Sequence, residues 1–308
     1  MTIDISIVVP VYRSQETIPE LHRRLVAVLE GNQLSFEIVF VEDCGGDNSW
    51  EVINQVSAED TRVKGVRLSR NYGQHNALLC GIREAQGNVI ITLDDDLQNP
   101  PEEIPKLLAA LHTGYDVVYG FPQAQTHGFL RNLASRVTKL ALRSAMGAET
   151  AGKASAFRAF KGHLKDSFAD YRSPAVNIEV LLTWGTTKFG HVLVRQDPRA
   201  TGESGYTLRK LVVHAVNMAT GFSTLPLQIA SVLGIAFSLL GVAILAYVLV
   251  RYLISGSVVP GFSFIASIIA IFSGAQLFCL GIIGEYLARM HSRTMERPMY
   301  NVLEKTKH

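Results

Sequence analysis

The chain has 308 residues, 48% of them hydrophobic and only 18% charged, with a formal net charge of +2. The charge content is below the roughly 25% usual for soluble domains, and the deficit is uneven: 47 of the 56 charged side chains fall in residues 1–210, while Arg251 is the single charge between Lys210 and Glu285. This excludes a disordered protein, a coiled coil, a disulfide scaffold and a wholly soluble chain; the 23 basic and 24 acidic groups of residues 1–210 leave no basic field for nucleic acid.

The first run, residues 3–9, is apolar and rich in β-formers, ends at Pro10 and has no basic flank, so it reads as a strand and not as a signal peptide. Helical spacing follows at 17–29, a second apolar run at 36–41 and a helix at 50–58. Residues 63–68 predict a third strand, 77–85 a helix, and 88–93 a fourth strand that stops at Asp94-Asp95-Asp96. Pro100 and Pro101 start a helix through Leu111, with Glu102 and Glu103 suited to its first turn, and 116–119 is a fifth strand. Strands alternating with helices predict an α/β fold with a mainly parallel, doubly wound, Rossmann-like sheet. Cys44, Cys80 and Cys279 are odd in number and lack metal spacing, which predicts reduced thiols.

Residues 226–250 and 261–284 are uncharged runs of 25 and 24 residues, each longer than the roughly 20 needed to cross a bilayer as a helix. We expect spans at 226–253 and 261–288, a tail at 289–308, and an amphipathic interfacial helix at 206–225 before the first span. Arg199, Arg209 and Lys210 precede the hairpin and Arg289, Arg293, Arg297, Lys305 and Lys307 follow it, whereas the linker carries only Arg251. The positive-inside rule then puts both termini in the cytoplasm, with residues 1–205 forming the cytoplasmic domain at the inner (plasma) membrane.

In a doubly wound sheet, ligands sit beyond the carboxyl ends of the strands. Pro10, Tyr12 and Glu16 follow the first strand, Glu42, Asp43 and Asp47 the second, Arg70 and Asn71 the third, and Asp94 to Gln98 the fourth. Adjacent aspartates repel unless a cation or hydrogen bonds offset them, and the i, i+2 pair Asp94 and Asp96 can point one way from a strand end. Such oxygen donors suit Mg²⁺ or Mn²⁺ with a diphosphate completing the shell. Gly-x-Gly-x-x-Gly does not follow the first strand and Gly-Lys-Ser/Thr occurs nowhere, which excludes dinucleotide and P-loop readings.

Val8-Val9-Pro10-Val11-Tyr12, Val41-Glu42-Asp43, Leu68-Ser69-Arg70-Asn71-Tyr72-Gly73-Gln74 and Leu93-Asp94-Asp95-Asp96-Leu97-Gln98-Asn99-Pro100-Pro101 resemble family 2 glycosyltransferases of the GT-A fold. With Gly202-Glu203-Ser204-Gly205-Tyr206, the two spans and Gly284-Glu285-Tyr286, residues 3–300 are similar to the polyprenyl-phosphate glycosyltransferases, among them dolichyl-phosphate mannose synthases, bactoprenol glucosyltransferases and the undecaprenyl-phosphate aminoarabinose transferase. The resemblance implies inverting transfer from a nucleotide-sugar, a UDP-sugar first, to polyprenyl phosphate at the bilayer, in a homotetramer. It places Pro10, Tyr12, Glu16, Asp43, Asn71, Asp94 and Asp95 on the nucleotide-sugar, and Asp94, Asp96 and Gln98 on the metal. Arg131, Ser135 and Arg199 go to the lipid phosphate, with Asp96, Arg131 and Arg158 as the catalytic set. Gly152 stands where many members carry an Asp proposed as base, which implies that Glu149 takes the role, that no base is needed, or that the donor sugar differs; the alternative function is a non-catalytic nucleotide-binding scaffold on the membrane.

Overall fold

Seven consecutive apolar or small residues, with no polar alternation, make Ile5–Val11 (β1) a strand buried along its whole length. The structure, a computed structural model, describes residues 3–122, 153–173, 176–198, 225–255 and 261–307. Of the interfacial segment expected at 206–225, residues 206–224 lie outside the described residues, as do Arg131, Ser135, Gly152 and Arg199. Contacts divide the chain into two units, Met1–Val212 with Glu296–His308, and Val213–Met295.

In the first unit β1 is followed by Ile18–Gly31 (α1), Phe36–Glu42 (β2), Ser49–Glu59 (α2), Val63–Leu68 (β3), Gln74–Glu84 (α3) and Val89–Thr92 (β4). Pro101–Glu103 is a 3₁₀ turn leading into Ile104–His112 (α4), so the predicted helix starts as a tighter turn. Then come Val117–Pro122 (β5), Arg158–Lys161 (β6), Ile178–Gly185 (α5) and Phe189–Val194 (β7), and after the second unit Val302–Lys305 (β8). The eight strands are ordered β7-β5-β6-β4-β1-β2-β3-β8. Pairs β1–β2, β1–β4, β2–β3 and β5–β7 are parallel; β4–β6, β5–β6 and β3–β8 are antiparallel. The mainly parallel sheet is thus mixed, because β6 inserts between β4 and β5 in the opposite sense.

Strand alternation divides the core between the two faces of the sheet. On one face Val8, Val41 and Leu68 pack with Leu78, Ile82, Leu181 and Leu182 of α3 and α5. On the other, Ile7, Val9 and Phe40 pack with Leu21, Leu25, Ile53 and Leu107 of α1, α2 and α4. α1 shows why it forms: Ile18, Leu21, Leu25 and Leu29 make one buried stripe, with Pro19 in its first turn. β8 covers the β3 edge, exchanging Thr306 N–H to Gly65 O (3.0 Å) and Gly65 N–H to Thr306 Oγ1 (2.9 Å). A Cβ on Gly65 would stand 2.5 Å from Ile53 Cγ2 and 2.7 Å from Thr306 Cγ2, so close approach requires glycine there.

Among the described residues, the second unit contains two helices, Leu225–Ser255 (α6) and Gly261–Thr294 (α7). Leu227–Ile254 and Ile271–Thr294 are long and apolar enough to cross a membrane. Phe237 and Phe272 meet edge to face at 5.9 Å, and Gly241 leaves room for the Phe272 ring. Outward-facing Val232, Leu239, Leu253 and Leu277 give this pair an apolar surface suited to lipid.

Candidate active site

Pro10 lies two residues past Val8, the last β1 residue paired with β4, so its missing N–H breaks no β4 ladder bond. Beyond it the loops after β1, β2, β3 and β4 meet around a cleft of about 820 Å³. That volume is ordinary for a small-molecule site.

The loops are held by carboxylates as much as by backbone pairing. Asp43 accepts Tyr72 N–H at 2.7 Å and Gly73 N–H at 2.8 Å, tying the end of β2 to the loop after β3. Burial pushes its carboxyl up from the ordinary value; the two amides oppose this without reversing it. Beneath it, Glu42 accepts Gly45 N–H at 2.6 Å and faces Arg67 Nε at 3.2 Å. Asp95 accepts Tyr12 N–H at 3.0 Å, joining the β4 and β1 loops, and burial raises its carboxyl as well. Asp47 receives the Ser49 hydroxyl at 2.8 Å, and Asn48 N–H reaches Gln15 Oε1 at 3.0 Å.

Backbone strain collects at the same rim. Arg13 (φ 58°), Cys44 (φ 52°) and Leu97 (φ 60°) are non-glycine residues in the left-handed region, one in each loop after β1, β2 and β4. Arg13 Nε donates to Gly45 O at 2.9 Å, and a Cβ on Gly45 would be 2.8 Å from Arg13 N.

Asp94 and Asp96 both line the cleft. Gln74, the first residue of α3, donates from Nε2 to Asp94 Oδ1 at 2.6 Å, while Asp96 Oδ1 accepts Gln98 N–H at 3.1 Å. Asp95 is turned to the Tyr12 amide, and Asp94 and Asp96 present hard carboxylate oxygens on the cleft wall, a donor type that fits Mg²⁺ or Mn²⁺ sharing its shell with phosphate.

Of the residues expected from the sequence, Pro10, Tyr12, Glu16, Asp43, Asn71, Asp94, Asp95 and Asp96 all line this cleft. Gln98, expected on the metal, does not: it contributes its amide to Asp96 and its carbonyl to Asp197 N–H at 2.9 Å. Arg158, expected among the catalytic set, is 1% exposed and lies off the cleft wall, facing Glu179 at 3.1 Å. Gln74, Arg13 and Ser14 also line the cleft, outside the set of site residues expected from the sequence. The run Gly73-Gln74 was the available signal, because a glycine at φ 92° directly before a helix aims the first side chain at the strand ends.

The mixed α/β sheet with an acidic cleft at the carboxyl ends of β1, β2 and β4 defines a GT-A-like fold. Residues 6–170 match the family described as glycosyl transferase family 2. The undecaprenyl-phosphate 4-deoxy-4-formamido-L-arabinose transferase of Pseudomonas fluorescens (strain SBW25) is 34% identical over 299 residues, covering 96% of this chain and 88% of that protein. The enzyme of the same name from Sodalis glossinidius (strain morsitans) is 35% identical over 306 residues, covering 98% and 94%. The crystal structure of glucosyl-3-phosphoglycerate synthase from Mycobacterium tuberculosis with phosphoglyceric acid covers 70% of this chain and 78% of its own, at 17% identity and a TM-score of 0.49. The chain therefore belongs to glycosyltransferase family 2 and is a glycosyltransferase.

Proposed function

We propose that the protein transfers a sugar, with inversion, from a nucleotide-sugar to undecaprenyl phosphate at the cytoplasmic face of the inner membrane. The observation that carries the reading is the cleft in which Asp94 and Asp96 stand beside Asp43, in a chain whose relatives bear the name of undecaprenyl-phosphate transferases. A UDP-sugar is the first donor to test.

In this reading Asp43 and the loop after β3 receive the nucleoside, with Tyr12 and Asn71 on the same wall. Asp94 and Asp96 hold Mg²⁺ or Mn²⁺ against the diphosphate. The ion, when bound, offsets the negative charge that develops on the departing diphosphate. Gln74 fixes the Asp94 carboxylate, and Asp95 fixes the loop from behind through Tyr12. The acceptor oxygen forms its bond to the anomeric carbon as the bond to the diphosphate breaks, which inverts the centre. A phosphate monoester has its second pKa at about 6, so at neutral pH it arrives mostly dianionic and requires orientation more than proton removal. Arg131, Ser135 and Arg199 are proposed for that phosphate, because the arginine fork matches its oxygens.

Orientation at the membrane is supported by chain order: the unit holding residues 1–212 also takes back residues 296–308 after the two apolar helices. An even number of crossings brings both termini to one side, and the basic flanks favour the cytoplasm. A homotetramer completes the proposal.

The test uses full-length protein in detergent with Mn²⁺, undecaprenyl phosphate and a panel of nucleotide-sugars. Nucleoside diphosphate release is followed, and the lipid product is weighed by mass spectrometry and its anomeric configuration read by NMR. Lipid-dependent release from one donor with an inverted product is expected. Nucleotide binding without turnover across the panel would leave a membrane-bound scaffold instead.

A further inference from the structure

The half of the sheet beyond β4 carries a buried polar row that the transfer scheme above does not use. Thr92 on β4 pairs with Arg158 on β6, Arg158 with Tyr119 on β5, and Tyr119 with His191 on β7. Residues opposite one another across a sheet share a face, so the four side chains form one line across four strands. Thr92, Arg158 and Tyr119 are at most 1% exposed. Arg158 Nε donates to Thr92 Oγ1 at 3.1 Å, the Thr92 hydroxyl donates to Ala156 O at 2.7 Å, and the guanidinium lies over the Tyr119 ring at 5.9 Å.

Glu179, the second residue of α5, closes the row from above. Its Oε1 is 3.1 Å from Arg158 Nη1 and its Oε2 is 3.9 Å from His75 Nδ1. Burial acts to raise the Glu179 carboxyl, but the opposing effects, led by the charge of Arg158, together hold the group below its ordinary value. The N–H of Ile178 also points at His75 Nδ1, at 3.4 Å, so α3 and α5 are joined at this point.

Stability alone gives a poor account of the cluster. A buried ion pair commonly gains little over apolar residues of the same volume, and the hydroxyl of Tyr119 and Oε2 of Glu179 are buried with no hydrogen-bond partner among the described residues. What the cluster does have is position. One arm ends at Thr92, two residues before Asp94. The other ends at His75, next to Gln74, whose amide holds Asp94 Oδ1.

We propose that Arg158 and Glu179 are positioning residues, a buried pair that fixes the end of β4 and the start of α3 together and so orients the Asp94 carboxylate for the metal-bound diphosphate. Arg158 on this account touches neither donor nor acceptor. The proposal rests on the function proposed above, in that it takes Asp94 to hold the metal.

The test measures Mn²⁺ uptake by electron paramagnetic resonance and UDP binding by calorimetry across a Mn²⁺ titration, in full-length protein, with thermal melting in parallel. Glu179→Gln and Arg158→Lys are each expected to raise the half-saturating Mn²⁺ concentration about tenfold, the scale seen when residues behind a metal ligand are changed. The double variant Arg158→Met/Glu179→Met keeps the site packed without charge. Its midpoint is expected to shift by about as much as that of the worse single variant, neither more nor less, since the pair acts as one unit. A folded double variant with the wild-type Mn²⁺ midpoint would overturn the proposal. So would a loss confined to the KM for undecaprenyl phosphate, which would place Arg158 on the acceptor itself. Wild-type protein that takes up no Mn²⁺ with UDP would bring down the underlying metal reading first, and this proposal with it.

Discussion

The two sides of β4 solve the same problem by different means. On the side of β1, β2 and β3, the strand-end loops are tied to one another by acidic side chains that accept backbone amides, Asp43 from Tyr72 and Gly73 and Asp95 from Tyr12, while Glu42 accepts Gly45 within its own loop. On the side of β5, β6 and β7, order comes from one buried guanidinium, Arg158, reaching a hydroxyl on β4 and a carboxylate on α5. The first side can face a ligand because its clamps lie in the loops themselves. The second can only act from below. Asp94 stands where the two meet, and that makes it the residue most exposed to faults on either side.

The comparison is broken most completely at the meeting point. Asp94→Asn or Asp96→Ala is expected to lower transfer by at least about 100-fold, the scale of losing a group that stabilises developing charge, while the melting temperature stays near that of wild type. Retained turnover in either variant would remove the metal assignment. Next in size is the clamp on the nucleotide side. Asp43→Ala strands the Tyr72 and Gly73 amides, which should cost about 1–3 kcal/mol in denaturant unfolding and weaken nucleotide binding as well. Gly45→Ala forces a Cβ against Arg13 N, with an expected cost of about 1–3 kcal/mol, and it tests the strained rim without removing any functional group.

Much of the first side is visible in the sequence. β1 to β4 are local, apolar and bounded by turn residues, each is followed by its helix, and the polar residues after them fall into one frame. The second side is not, for physical reasons. Arg158–Lys161 has only four residues and no apolar repeat, and it becomes a strand only by pairing antiparallel to β4 and β5, partners distant in the chain. By resemblance Arg158 reads as a catalytic basic residue; its partner Glu179, 21 positions away, comes beside it only in the fold. Gln98 and Gln74 teach the same lesson at closer range. Both follow strand-end motifs, yet the positive φ of Leu97 sends the Gln98 amide back to Asp96, while the Gly73 turn sends the Gln74 side chain forward to Asp94. Similarly, nothing in Val302–Lys305 announces an edge strand; its place is set by Gly65, Arg67 and Glu84 on the surface it covers.

Two smaller predictions serve as controls away from the cleft. The Arg62 side chain, the Arg62 amide and His22 overcome the burial of Asp60 and hold its carboxyl well below the ordinary 3.8. A depressed carboxyl stabilises the fold above its unfolded pKa and loses that effect as pH falls below about 4. The stability gap between wild type and Asp60→Asn should therefore be about 1–2 kcal/mol at pH 7, narrow as pH falls below about 4, and close only once pH has fallen through the depressed pKa of the folded state. Cys80 gives a kinetic counterpart. Burial pushes its thiol up to about 12, so alkylation at pH 8 should label exposed Cys44 and reach Cys80 only on unfolding.

The most direct measurement is an electron cryo-microscopy structure of the full-length protein in a lipid nanodisc with Mn²⁺ and the nucleoside diphosphate identified by the donor panel. The account predicts the diphosphate and its ion between Asp94 and Asp96, the base toward Asp43, and Arg158 still paired with Glu179 beneath them. A nucleotide bound away from these carboxylates, or an Arg158 side chain swung out onto a phosphate, would contradict it.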